Sequence, residues 1–207
     1  MTKGTPRIVR RLSVPVRKGQ HYRSASVVEA LRRDFNNRCA YCMTHEVHAG
    51  GERAMEIDHF HANGDNSYEN LLWSCKVCNN GKRDRPNAEE RARGLRLINP
   101  CEETDYGVYF FQNDTGRLEL IEDEGAFHLD LLCLNRDLLV YWRQVAQERR
   151  QLHQDAKLRR AGLQDDDEQS ELLDRMIDCL ERDIATMIPL IKRETRVSAR
   201  KRPATAT

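Results

Sequence analysis

Two Cys-x-x-Cys pairs constrain this chain more than any other feature. Cys39 and Cys42 lie in "RCAYCM", and Cys75 and Cys78 follow in "WSCKVC" after thirty-two intervening residues. Each pair offers two thiolates from one tight turn, and two such turns fill the four corners of a tetrahedral zinc site. Four thiolates leave no open position for a substrate, so the expected zinc is structural and fixes the ends of segment 43–74. A redox reading would need a single pair in a thioredoxin-like βαβ setting, and the pattern around these cysteines lacks one. The remaining Cys101, Cys133 and Cys179 are scattered, and they are expected to be small buried hydrophobes rather than parts of a disulfide framework.

With 207 residues, 39% hydrophobic and 32% charged, the chain suits one soluble domain, or a compact domain with an extension. No run of eighteen apolar residues occurs, and the basic N-terminus lacks the apolar core of a secretory signal. A cytoplasmic location is expected. The net charge of +1 hides an asymmetry: residues 1–38 carry ten Lys or Arg against Glu29 and Asp34 alone. Residues 192–202 carry six basic groups against Glu194, whereas 165–168 reads "DDDE". Basic ends of this kind suit phosphate contact.

The expected organisation is a basic arm over 1–23, a zinc-stapled core over 24–100, a hairpin and helical region over 101–194, and a basic tail over 195–207. Val27, Val28, Leu31 and Phe35 predict a helix with Ser24 or Ser26 at its cap. "RAMEIDHF" reads as a strand, "HANGDNSYEN" as a loop, "NLLWS" as a second strand and "VCNNGKR" as a short helix stopped by Arg85-Pro86. Further on, "GVYFFQNDTGRLELI" predicts a hairpin turning at Asn113 to Gly116. Asn135 reads as the cap of a long helix. A second long helix carries an apolar stripe from Leu172 to Ile191, which Pro189 should end early.

Within the stapled loop, "EIDHF" sets a carboxylate beside a histidine on one strand. That pairing suits metal-assisted phosphodiester hydrolysis: a carboxylate holds a hard divalent cation, and a neutral imidazole takes a proton from water. An Asp-His pair is weak evidence by itself, and a satisfied surface pair is the commoner case. The wider spacing changes the balance. Asn70 lies eleven residues after His59, Asn79 nine after Asn70, and Lys82 three after Asn79.

Taken together, "CAYC … EIDHF … ENLLWSCKVCNNGK" resembles the HNH endonuclease family. The resemblance implies an α+β, mostly helical fold with a ββα-metal (His-Me finger) core stapled by a four-cysteine zinc site and followed by a helical C-terminal region. It implies His59 as general base, Asp58 and Asn79 as ligands of a catalytic Mg²⁺ or Mn²⁺, and Asn70 as a brace for the loop. Glu56 would support the ion through water, and Lys82, Arg83 and His61 would be the candidate nucleic-acid contacts, although the favoured reading of His61 is an ordinary solvent-facing loop side chain. Two departures stand out: Asn79 replaces the usual third histidine, and Ala62 stands where a proline is common.

A narrower likeness, through "LINPCEETDY" and "LNRDLLVYWR", is to retron-associated and Septu-type anti-phage HNH nucleases. Such proteins work beside an ATPase partner, so the helical half would serve for partner docking or self-association. The expected function is a metal-dependent DNA endonuclease, with RNA as a possible substrate. The rival is a zinc-stabilised nucleic-acid-binding or scaffold subunit with no hydrolytic activity.

Overall fold

A computed structural model describes residues 21–62, 65–102, 106–164 and 168–192. Most of the expected basic arm, all of the expected tail and Asp165 to Asp167 of the acidic loop lie outside the described residues.

Helix α1 spans Ala25–Asp34. Its apolar residues recur at helical spacing, and Val27, Ala30, Leu31 and the following Phe35 are buried. Ser24 occupies the cap position with an extended backbone, although its side chain makes no capping bond. Two asparagines at positive φ, Asn36 and Asn37, then turn the chain into the first cysteine pair. A single helical turn, α2 (Glu46–Ala49), ends on left-handed Gly50.

Strand β1 (Met55–His59) pairs antiparallel with β2 (Leu71–Cys75), in a register that sets Met55 opposite Cys75 and His59 opposite Leu71. All five residues of β2 are buried. Helix α3 (Lys76–Lys82) starts directly after β2 and ends where Arg83 leaves the helical region at φ 48°, ahead of Pro86. The next helix, α4 (Ala88–Ala92), opens with a capping box: Asn87 accepts from the Glu90 amide while the Glu90 carboxylate accepts from the Asn87 amide.

The expected hairpin forms from β3 (Phe110–Gln112) and β4 (Leu118–Leu120), closed by Asn113 N–H to the Arg117 carbonyl at 2.9 Å. Gly116 needs to be glycine, because its φ is +75° and a Cβ would lie 2.7 Å from the Val140 carbonyl oxygen. Helix α5 (Ala126–Leu131) leads to α6 (Asp137–Arg160), and α7 (Glu168–Thr186) follows. His153 and Lys157 of α6 meet Glu181 of α7 while Arg160 meets Asp174, so the two helices run antiparallel. Helix α7 stops three residues short of Pro189, which lacks the N–H and ring clearance to continue it.

Three expectations are corrected. Asn135 does not cap α6: its amide accepts from the Leu118 N–H at 2.7 Å and donates to the Leu118 carbonyl at 2.9 Å, as a neighbouring strand would. Cys133 and Cys179 are exposed and Cys101 is half-buried, since Cys133 sits in a turn at φ 46° and Cys179 faces solvent on α7. The apolar stripe is only partly covered: Ile177, Leu180, Met187, Ile188 and Ile191 are buried, whereas Leu172 and Met176 are exposed.

The architecture is mostly helical α+β with two small two-stranded sheets. One buried cluster runs from Val27 through Leu72 and Phe110 to Ile191. Among the described residues, no helix is long and apolar enough to cross a membrane.

Candidate metal centre and active site

The chain reverses at each cysteine pair. Met43 N–H returns to the Cys39 carbonyl at 3.0 Å, Cys39 N–H meets the Thr44 carbonyl at 2.9 Å, and Ala40 N–H docks on the Trp73 carbonyl at 2.7 Å. The two pairs converge. The Sγ atoms of Cys39, Cys42, Cys75 and Cys78 all lie within 4.8 Å of one another and all four residues are buried. Zinc–sulfur bonds of about 2.3 Å in a tetrahedron space the sulfurs about 3.8 Å apart, and Cys42 Sγ and Cys75 Sγ are 3.8 Å apart. The donor set and its spacing could hold a zinc ion.

The four thiols do not part with their protons equally easily. Hydrogen bonds from the other three cysteines, led by Cys39, pull the Cys42 thiol well below its ordinary range, while burial pushes Cys39 well above. The Arg136 guanidinium points both Nη atoms at Cys78 Sγ, at 3.8 and 3.9 Å. Burial works against that cation, yet the three neighbouring thiols hold it above its ordinary range. A cation donating to a ligand sulfur is the kind of outer contact that fixes metal ligands in place.

Successive side chains on β1 alternate in direction, so Glu56 and Asp58 share the face turned toward α3. Residues one helical turn apart on α3 meet them in order. Asn79 Nδ2 donates to Glu56 Oε1 at 2.8 Å, and Lys82 Nζ donates to Asp58 Oδ1 at 3.2 Å. Lys82 is 1% exposed and also donates to the carbonyls of His59 at 2.7 Å and Arg83 at 3.3 Å. The second oxygen of Asp58 accepts from the Tyr41 phenol. Burial pushes the Asp58 carboxyl above its usual range, against the pull of Lys82 and Tyr41.

His59 ends β1 half-buried. Its Nε2 lies 2.8 Å from Asn66 Oδ1, and an amide oxygen there accepts the Nε2 proton, leaving Nδ1 as the basic nitrogen. Tyr22 packs edge-on against the imidazole at 5.0 Å between centroids. Asn70, buried just before β2, ties the loop to itself: Oδ1 accepts from the His61 N–H at 2.8 Å, while Nδ2 donates to the His61 carbonyl at 3.0 Å and the Asp65 carbonyl at 2.7 Å.

The site residues therefore fall into groups. The four cysteines meet. Asp58 is drawn to Lys82 and Tyr41, whereas Asn79 is drawn to Glu56, so the two expected ion ligands have different partners. The expectation that Lys82 faces solvent phosphate is not met, because its ammonium is spent on three internal oxygens; Arg83 and His61 are exposed. Glu56, Asp58 and Asn79 are oxygen donors of the kind a hard cation takes. In kind they fit such an ion; in placement Lys82 already supplies the positive charge against Asp58. Among the described residues, the four cysteines are the one group of three or more Cys, His, Asp or Glu side chains close enough to share an ion.

Tyr41 and Asn66 were not anticipated, and neither has a signature in spacing. A cleft of about 890 Å³ opens beside this site, lined by Glu56, Ile57, Trp73 and Asn79 together with Arg23 and Arg53.

Fold and site together define a mostly helical α+β protein organised around a four-cysteine cluster able to hold a metal. Among curated proteins the chain is similar to the Septu protein PtuB of Bacillus mycoides (strain KBAB4), at 26% identity over 176 residues, 70% of this chain and 56% of that protein. The chain thus spans little more than half of that relative's length. No protein-family model matches it, and no solved structure matches it.

Proposed function

We propose that this protein is a metal-dependent HNH endonuclease that hydrolyses phosphodiester bonds in DNA, serving as the nuclease of a bacterial anti-phage defence system beside an ATPase partner. The observation that carries this reading is the β1–β2–α3 unit, with one cysteine pair ahead of it and the other at its β2–α3 junction, His59 at the end of β1 and Asn79 in α3. The similarity to Septu protein PtuB supports the defence context, given the Septu-type resemblance of the sequence.

His59 takes the proton from the attacking water at Nδ1, while Asn66 holds the Nε2 proton and so fixes the ring's tautomer. Asn70 keeps the loop after His59 in register through its three main-chain bonds. Asp58 and Asn79 would hold the divalent ion, and Glu56 accepts from the Asn79 amide behind it. The Lys82 ammonium donates to Asp58 Oδ1 and holds that carboxylate in its orientation. A bound Mg²⁺ or Mn²⁺ would supply charge stabilisation to the scissile phosphate and leaving oxygen.

Plasmid nicking with Mg²⁺ or Mn²⁺ tests the proposal. Wild-type protein should convert supercoiled plasmid to the open-circular form, and His59→Ala should lose at least about a hundredfold in rate, as expected when a general base is removed. Equal cutting by the two proteins removes His59 from the mechanism.

A second reading, a zinc-stabilised nucleic-acid-binding or scaffold subunit, has one observation in its favour. Lys82 neutralises Asp58 and closes the carboxylate off at 5% exposure. Under that reading wild-type protein binds DNA and cuts none of it.

A further inference from the structure

We infer that the cleft along the free edge of β1 is the track for a nucleic-acid strand, with Arg23 and Arg53 as its phosphate contacts. This inference rests on the nucleic-acid part of the proposed function and names the surface that carries it.

The cleft is an edge groove. Side chains alternate along a strand, so a hollow lined by the consecutive residues Met55, Glu56 and Ile57 reaches around an edge of β1 as well as touching Trp73 on β2. Among the described residues β1 pairs only with β2 in a two-stranded sheet, so its other edge is the one that borders the hollow.

The groove offers two arginines free to meet an anion. Arg23 and Arg53 are exposed, and neither forms an ion pair with any described residue. Of the two carboxylates in the lining, Glu52 shares Arg32 with Glu46, at 3.0 and 2.6 Å respectively, and Glu56 is held by the Asn79 amide. Arg23 and Arg53 are therefore the charged side chains of the lining without an ion-pair partner among the described residues, while Glu52 and Glu56 are both engaged. Guanidinium is also the side chain best matched to phosphate oxygens. Trp73 adds a buried indole N–H with no acceptor among the described residues.

The groove also leads to the candidate base. Ile57 precedes His59 by two residues on the same strand face. Tyr22 packs against His59, and the Arg23 guanidinium lies 5.2 Å from the Tyr22 ring. A strand held by Arg53 and Arg23 would arrive beside the imidazole. Exposed arginines along a groove with an aromatic side chain at its end are a common arrangement for holding nucleic-acid backbone.

The test is binding of a fluorescein-labelled duplex DNA by zinc-loaded, full-length His59→Ala protein, followed by anisotropy from 50 to 200 mM salt. Removing one phosphate-binding cation should flatten the log–log salt slope by about 0.9. Arg23→Ala and Arg53→Ala should each show that change and weaken binding about fivefold at 0.1 M salt, and the double variant should flatten the slope by about 1.8. Arg182→Ala, at an exposed arginine on α7, should match the parent. A double variant with the parent's affinity and slope overturns the assignment, as does a parent that binds no DNA at the lowest salt. Failure of the nuclease reading is visible separately: weakened binding in the arginine variants, with no plasmid nicking by wild type, leaves the groove standing and removes the hydrolase.

Discussion

Tyr41, which sits between the two cysteines of the first pair, donates its phenol to the carboxylate of Asp58, the residue before the candidate base. Burial, with Asp58 beside it, pushes the phenol well above its ordinary range, so it stays protonated and remains a donor. The metal cluster and the candidate active site are therefore joined through one side chain.

Tyr41→Phe should raise the Asp58 carboxyl further, because a hydrogen bond to its charged form is removed. Burial already lifts this group, so the folded protein keeps its proton to higher pH than the unfolded chain does. Its contribution thus favours folding below the ordinary carboxylate value and is lost as pH rises through the raised folded value. Denaturant unfolding without added divalent ion should show Tyr41→Phe less stable by about 1–3 kcal/mol at neutral pH. The deficit should shrink as pH falls through the Asp58 transition. A pH-independent deficit would show that the phenol does not act on the carboxylate.

Lys82→Met should cost about 3–5 kcal/mol, because it leaves a buried carboxylate without its cation. Replacing both partners, as Lys82→Met with Asp58→Leu, should recover most of that loss. The coupling is read from a double-mutant cycle by chemical denaturation. Additive single and double losses would contradict the buried pair.

Cys42→Ser should remove the bound zinc and the stability that depends on it. Metal analysis of wild-type protein should give about one zinc per chain, and the variant should fall well below that and lose a cooperative thermal transition. A chelator that takes only loosely held ions should abolish plasmid nicking while leaving wild-type melting unchanged. Native melting and zinc content in Cys42→Ser would refute the stapling role.

Arg38 reaches from beside Cys39 to the end of α7, where its guanidinium donates to the carbonyls of Ala185, Thr186 and Met187. A cation in that position answers the open carbonyls of a helix terminus. Arg38→Ala should destabilise the fold by about 2–3 kcal/mol. It should also speed amide exchange around residues 184–188 more than in α6, and unchanged protection there would rule the clamp out.

The parts of the fold legible in the sequence are those with a period or a fixed spacing. Val27, Leu31 and Phe35 marked α1 by helical recurrence, and the cysteine pairs bracketed β1 and β2 and led into α3. The Asn113–Gly116 turn was readable because its residues suit tight reversal. What escaped depends on contacts between distant residues. Asn135 has the chemistry of a helix cap, and nothing local reveals that Leu118 competes for the same amide. Lys82 lies one turn beyond Asn79 in either reading, and only packing decides whether its ammonium faces phosphate or Asp58. Tyr41 is one aromatic residue between two cysteines, a position with no periodic signature. The roles of Asp58, His59, Asn70 and Asn79 came from family resemblance, while the structure supplies their partners.

Asn135 has a further consequence. The Gln112–Leu118 pair turns its main-chain groups outward from the small ribbon of β3 and β4; Asn135 occupies both groups of Leu118, and the Ile191 carbonyl takes the Gln112 N–H. At that rung the ribbon has no vacant main-chain donor for a foreign strand to recruit, which guards the helical half of the molecule against edge-to-edge aggregation.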